Sequence, residues 1–114
     1  MRSYKASQLL TILFMIASLS GCGIGASNLS AAKGEAAFNK GNYAEAVRYL
    51  EEAITTRPEH GRAHYFLASS YIKLDQKDKA RQLLESYLAY VAAPTGRITS
   101  MDKEYIAKCR LLLK

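Results

Sequence analysis

Shifted by 34 residues, the 114-residue chain falls back on itself: Gly34 meets Ala68, Ala46 meets Ala80, Leu50 meets Leu84, Tyr49 meets Leu83 and Ile54 meets Leu88. A period of this length belongs to one supersecondary unit per repeat, a unit that cannot bury its apolar face without a neighbour. The spacing inside each copy agrees. Tyr43, Ala46, Val47, Leu50 and Ile54 recur every three or four residues, as do Ala80, Leu83, Leu84, Tyr87, Leu88 and Val91, so each set forms one helical stripe. Gly41 offers the left-handed backbone that ends a helix, Asn42 with Glu45 three residues on makes a capping-box-like start, and Pro58 stops the helix before it. These signals predict helices over about 28–40, 43–57, 61–74 and 78–92, with Asn28-Leu29-Ser30 capping the first.

The same residues resemble the tetratricopeptide repeat (TPR) family. In the first copy Gly34, Ala46, Leu50 and Pro58 fall on the motif, with Gly41-Asn42-Tyr43 at the turn and Ala53 near the end of the second helix; in the second, Leu67, Ala68, Tyr71, Ala80 and Leu84 do so. The resemblance implies an all-α fold, a right-handed α-solenoid of two helical hairpins over 28–94 (about 27–60 and 61–94). Gly34, Ala46, Ala68 and Ala80 are small where helices cross, and Leu50 and Leu84 fill the space between hairpins. Several positions depart from the motif: Lys33 replaces an apolar residue, Ser30 and His64 a bulky aromatic, Ala37 a tyrosine and Asp75 the turn glycine. Lys77 stands opposite Tyr43, and the second motif proline falls two residues late at Pro94.

Two hairpins leave an apolar face uncovered, and residues 95–114 are expected to cover it. Thr99 or Ser100 caps a helix running to about 113, whose Met101, Tyr105, Ile106, Cys109, Leu112 and Leu113 recur at helical spacing, while Lys103, Glu104, Lys108 and Arg110 face water. The reading is a C-terminal capping helix; its competitor is half of a third repeat, completed by a partner or by homodimerisation.

Residues 1–22 resemble a bacterial lipoprotein signal peptide. Arg2 and Lys5 form a basic start, Ala6 to Leu19 an apolar run, and Ser20-Gly21 stands directly before Cys22. Ser7, Gln8, Thr11 and Ser18 interrupt the run, which falls short of the roughly 20 apolar residues of a spanning helix. The resemblance implies cleavage after residue 21, a diacylglyceryl thioether on Cys22 and acylation of the new amino end. More than one chain is needed for firm anchoring, since each buried methylene contributes about 0.8 kcal/mol. Gly23 stands where an aspartate would favour the inner membrane of a Gram-negative cell, which implies the outer membrane, facing the periplasm. Residues 22–27 then read as lipidated cysteine and flexible tether, the five residues after Cys22 reaching about 18 Å when extended.

Residues 1–21 hold two of the 16 basic residues and none of the 10 acidic ones, so their removal leaves 93 residues of formal charge +4, one small domain. Basic and acidic residues are interspersed, which describes a solvated surface with mild attraction to anionic headgroups or an acidic partner and gives no case for nucleic acid. Cys109 is the one cysteine left after lipidation; it cannot staple its own domain and reads as a small buried apolar residue.

Neither catalytic nor metal-ligating residues are expected, and no cofactor beyond the lipid. His60 and His64 are four apart, but Pro58 and Gly61 put His60 in a turn, and no third ligand is apparent. No phosphate-cradling loop or nucleophile motif occurs. The resemblance implies instead a groove that takes a protein or peptide segment, lined by the first helix of each pair: Asn28, Ala31, Glu35, Phe38 and Asn39, then Arg62, Tyr65, Ser69, Ile72 and Lys73. It supplies apolar and charged contacts together. The expected role is a scaffold for envelope assembly, whether pilus, secretion, outer-membrane or peptidoglycan machinery; the alternative is a structural lipoprotein that associates with itself.

Overall fold

A computed structural model of the chain describes residues 23–93 and 97–114, so the signal peptide, Cys22 and Pro94-Thr95-Gly96 lie outside the described residues. Five helices follow one another: α1 (Gly23–Asn39), α2 (Tyr43–Thr56), α3 (Gly61–Lys73), α4 (Lys77–Ala92) and α5 (Ser100–Leu112). The architecture is an all-α solenoid of TPR-like helical hairpins, α1 with α2 and α3 with α4. Helices α1, α3 and α5 lie side by side, and α5 packs chiefly on α3 rather than on α4.

The two turns inside the hairpins are the same structure built from different residues. After α1 the Gly41 N–H bonds the Phe38 carbonyl (3.0 Å) and the Asn42 N–H the Ala37 carbonyl (2.9 Å); after α3 Asp75 bonds Ile72 (3.1 Å) and Gln76 bonds Tyr71 (2.8 Å). Both close through a left-handed residue, Gly41 at φ 83° and Asp75 at φ 60°. Aspartate tolerates that conformation better than most side chains, so the turn survives loss of the motif glycine. Asn42 precedes α2, but its side chain makes no capping bond, contrary to the capping-box expectation. Between hairpins, Arg57 is extended and Pro58 turns the chain into His60, the residue before α3.

The largest correction concerns the start. The five residues expected to be a flexible tether are helical from Gly23, and Asn28-Leu29-Ser30 lies inside α1 instead of capping it. Tertiary contacts account for this: Ser27 is fully buried and its hydroxyl donates to the Ala53 carbonyl (3.0 Å), and Ser30 donates to Glu52 (3.1 Å). Small residues here permit close helix packing as well as chain flexibility, and the packing prevails.

The core runs through Ala31, Ala46, Leu50, Ala53, Ala63, Leu67, Ala68, Ala80, Leu84 and Tyr87, and ends in Ile106 and Cys109 of α5. The crossing of α1 and α2 needs Gly34: a Cβ there would stand 2.5 Å from Leu50 Cγ, and Leu50 is fully buried with nowhere to retreat. His64, in place of the motif aromatic, keeps the aromatic role by stacking on Tyr87 at 3.9 Å between ring centres. Its Nδ1–H donates to the His60 carbonyl (2.9 Å), and burial lowers its pKa to about 4, so it is neutral at pH 7.

Helix α5 is attached by a buried carboxylate. Thr99 is its cap, in a reciprocal capping box with Asp102. Asp102 also accepts the Gly61 N–H at the start of α3 (3.0 Å) and the Arg57 guanidinium, which ties three segments to one side chain. Burial disfavours its charge, but the N–H groups of Thr99 and Gly61, the Thr99 hydroxyl and Arg57 outweigh that and hold its pKa below the usual aspartate value. The backbones approach closely here, since a Cβ on Gly61 would stand 2.9 Å from the Asp102 carbonyl oxygen. Met101 and Leu113, expected on the buried stripe of α5, are 57 % and 37 % exposed.

Candidate binding groove

The side-by-side packing of α1, α3 and α5 makes one surface from three helices, and its centre is aromatic. Phe38 of α1 meets Tyr43 (5.3 Å between ring centres) and Phe66 (5.4 Å) edge-on; Tyr65 of α3 meets Phe66 (5.2 Å) and Tyr105 of α5 (5.7 Å). Phe38, Tyr65, Phe66 and Tyr105 are all half-buried, so each supports the helix packing with one side and offers ring area to a ligand with the other. Edge-to-face contacts hold the rings in place before anything binds, which reduces the ordering cost of binding.

Charge flanks the string. Glu35 and Arg62 form an ion pair between α1 and α3, each about one quarter exposed, so these two expected groove charges meet each other. Lys73 is exposed at the end of α3. On α5 the Lys108 ammonium lies 4.5 Å from the centre of the Tyr105 ring and pairs with Glu104 at 3.1 Å.

The structure brings together Glu35, Phe38, Arg62 and Tyr65 among the residues predicted for the groove. It separates others. Ala31 is fully buried core. Asn28 lies towards the end of the surface, its Oδ1 accepting from His60 Nε2 (3.1 Å), as follows from His60 Nδ1 accepting the Ala63 N–H. Ser69 turns its hydroxyl back to the Tyr65 carbonyl (2.8 Å) and offers a client no free donor. Asn39 is exposed at the end of α1. Ile72 is half-buried where α3 and α5 end against the start of α4, beside a cavity of about 300 Å³ shared with Leu84, Leu112 and Arg81. Tyr105 and Lys108 were missed because α5 was read as a cover for the core; treated as the first helix of a further repeat, it places both on the groove.

A second cavity, of about 760 Å³, opens where α3 and α5 begin, between Asn28, Arg57, His60, Arg97, Met101 and Asp102. Its buried polar groups are bonded to one another, and among the described residues no buried side-chain N or O lacks a partner. Burial lowers the His60 pKa, with Arg57 adding to the effect, so a neutral imidazole faces this cavity at pH 7. Among the described residues no three His, Cys, Asp or Glu side chains converge as metal ligands, and no helix is long and apolar enough to cross a membrane. Cys109 is buried and its thiol pKa is raised to about 12 by desolvation, which makes it unreactive.

A family model described as tetratricopeptide repeat matches residues 37–95, just over half of the chain. No curated protein and no solved structure matches it.

Proposed function

The chain belongs to the tetratricopeptide repeat family, generally non-catalytic protein–protein interaction scaffolds, and from that premise we propose that it is a lipid-anchored scaffold of the bacterial envelope. The groove on α1, α3 and α5 takes a polypeptide segment of its client. The observation that carries this reading is the string of half-buried rings from Phe38 to Tyr105, fixed by one another and bordered by Lys73 and Lys108. Such a surface suits an extended or helical segment with apolar anchors and acidic neighbours.

The anchor rests on the sequence, on the run from Arg2 to Cys22. With α1 beginning at Gly23, a diacylglyceryl thioether on Cys22 joins the folded domain without a spacer, so the start of α1 stands at the headgroups. A client is then engaged close to the bilayer. In a Gram-negative host, Gly23 after the cysteine favours the outer membrane, facing the periplasm.

Crosslinked affinity capture from native membranes, comparing the wild type with a Tyr65→Ala, Lys73→Glu variant, tests the groove. Proteins retained by the wild type and lost by the variant support the scaffold reading; an unchanged set refutes it. Cys22→Ser tests the anchor separately: release from the membrane fraction is expected, and continued retention would refute lipidation.

A further inference from the structure

Along α5, on the face that borders the groove at Lys108, Met101, Glu104, Lys108 and Leu111 follow one another at spacings of three, four and three residues, the spacing of a seam between paired helices. Met101 is 57 % and Leu111 64 % exposed, although both are large and apolar. Between them Glu104 and Lys108 carry opposite charges and already pair within the helix at 3.1 Å.

The order of these four residues is symmetric about Ile106. Met101 and Leu111 stand five residues to either side of it, and Glu104 and Lys108 two residues to either side. A second α5 laid antiparallel on the first therefore sets Met101 against Leu111, Glu104 against Lys108, Lys108 against Glu104 and Leu111 against Met101. This is the requirement for a two-fold interface, in which each contact occurs twice with its partners exchanged. A parallel pairing at the same level would put like charges together.

We infer that the Met101–Glu104–Lys108–Leu111 face of α5 is a homodimer seam, occupied by the same face of a second copy in antiparallel register. Each Glu104 then sits between its own Lys108 and that of the other copy, in a ring of four alternating charges closed at both ends by a methionine–leucine contact. The seam is short: 13 residues of helix span about 20 Å, which places it among small, weak interfaces. Confinement of both copies to one membrane surface would raise their effective concentration and favour the pair. Lys108 belongs to both surfaces, so a second copy on the seam and a client in the groove compete for that edge of α5.

The test uses the full chain. Met101→Cys and Leu111→Cys chains are co-expressed and oxidised in membranes, with the wild type, carrying Cys22 and the buried Cys109, as blank. A disulfide-linked dimer from the mixture, with far less from either variant alone, is expected. Equal linkage from Met101→Cys alone, or none from the mixture, overturns the antiparallel seam. Sedimentation of the full chain in detergent reads the charges: Glu104→Lys and Lys108→Glu should each weaken dimerisation about tenfold, and the two together should restore it. Circular dichroism of each variant reports whether the helices are kept, and failure of a folded double exchange to restore the dimer overturns the role of the charges. The Tyr65→Ala, Lys73→Glu variant should remain dimeric, so failure of the groove and failure of the seam are read separately.

Discussion

The two junctions that align the groove helices are built by opposite means. Where α1 crosses α2, contact depends on the absence of a side chain, with Leu50 filling the space Gly34 leaves. Where α5 meets α3, the backbones also approach closely at Gly61, but the joint is a charged carboxylate bonded to Thr99, Gly61 and Arg57. The Gly34–Leu50 crossing itself is apolar, so its strength depends on volume and does not titrate. The second depends on charge and hydrogen bonds, so it fails when a single atom group changes or is protonated. Repetition can supply the first type indefinitely, whereas α5, followed by no further hairpin among the described residues, is held by a specific clasp.

Removal of the clasp should produce the largest loss. Asp102→Ala leaves the Gly61 N–H without its partner and Arg57 with only Glu59 at 3.6 Å, and it removes the reciprocal half of the α5 capping box while Thr99 still accepts the N–H of residue 102; about 4 kcal/mol of stability should disappear in denaturant melts, with hydrogen exchange rising first in α5. At the apolar junction Leu50→Ala should cost about 3 kcal/mol through the cavity it opens. If both variants loosened α1 and α5 equally, the two junctions would not be separable.

Acid should act on His64, which belongs to neither junction, and at lower pH on the clasp. His64 has a folded pKa near 4 against an ordinary value of 6.5, so the unfolded chain binds the extra proton and stability falls as pH drops from about 6.5 towards 4, by up to about 3 kcal/mol. Asp102, whose folded pKa is lowered, contributes stability at neutral pH that is lost at still lower pH as its carboxylate is protonated. Melts at stepped pH should follow this course, and His64→Phe should flatten the upper part while keeping the ring stacked on Tyr87.

The repeat made the first junction readable and hid the second. Gly34, Leu50, Ala46 and Ala80 are legible because two copies in register mark them, and they occupy the crossings the period implies. Nothing in the sequence singles out Asp102 among the interspersed acidic residues, since no pattern connects it with Arg57 and Gly61, 45 and 41 residues away. The early start of α1 was equally hidden, because Ser27 and Ser30 find their partners on α2. Of the groove, Phe38 and Tyr65 were legible from the repeat; Tyr105 required knowing that α5 lies beside α3.

Two smaller effects sharpen the contrast. Gly34→Ala should destabilise by about 1–2 kcal/mol in the wild type and by much less in the Leu50→Ala background, where the added methyl has room; additive costs would mean that Gly34 matters for something other than Leu50. Asp75→Gly, remote from both junctions, should stabilise by about 0.5–1 kcal/mol by relieving a left-handed aspartate.

Both junctions serve to hold α1, α3 and α5 side by side, and the central claim is that a client binds the surface this creates. A photoreactive amino acid in place of Ser69, on the groove, and in a second strain in place of Gln82, exposed on α4, would test it in native envelopes. The account predicts an adduct with another protein from position 69, lost on Tyr65→Ala, and none from position 82. Equal adducts from both positions, or adducts only with a second copy of the chain, would contradict it.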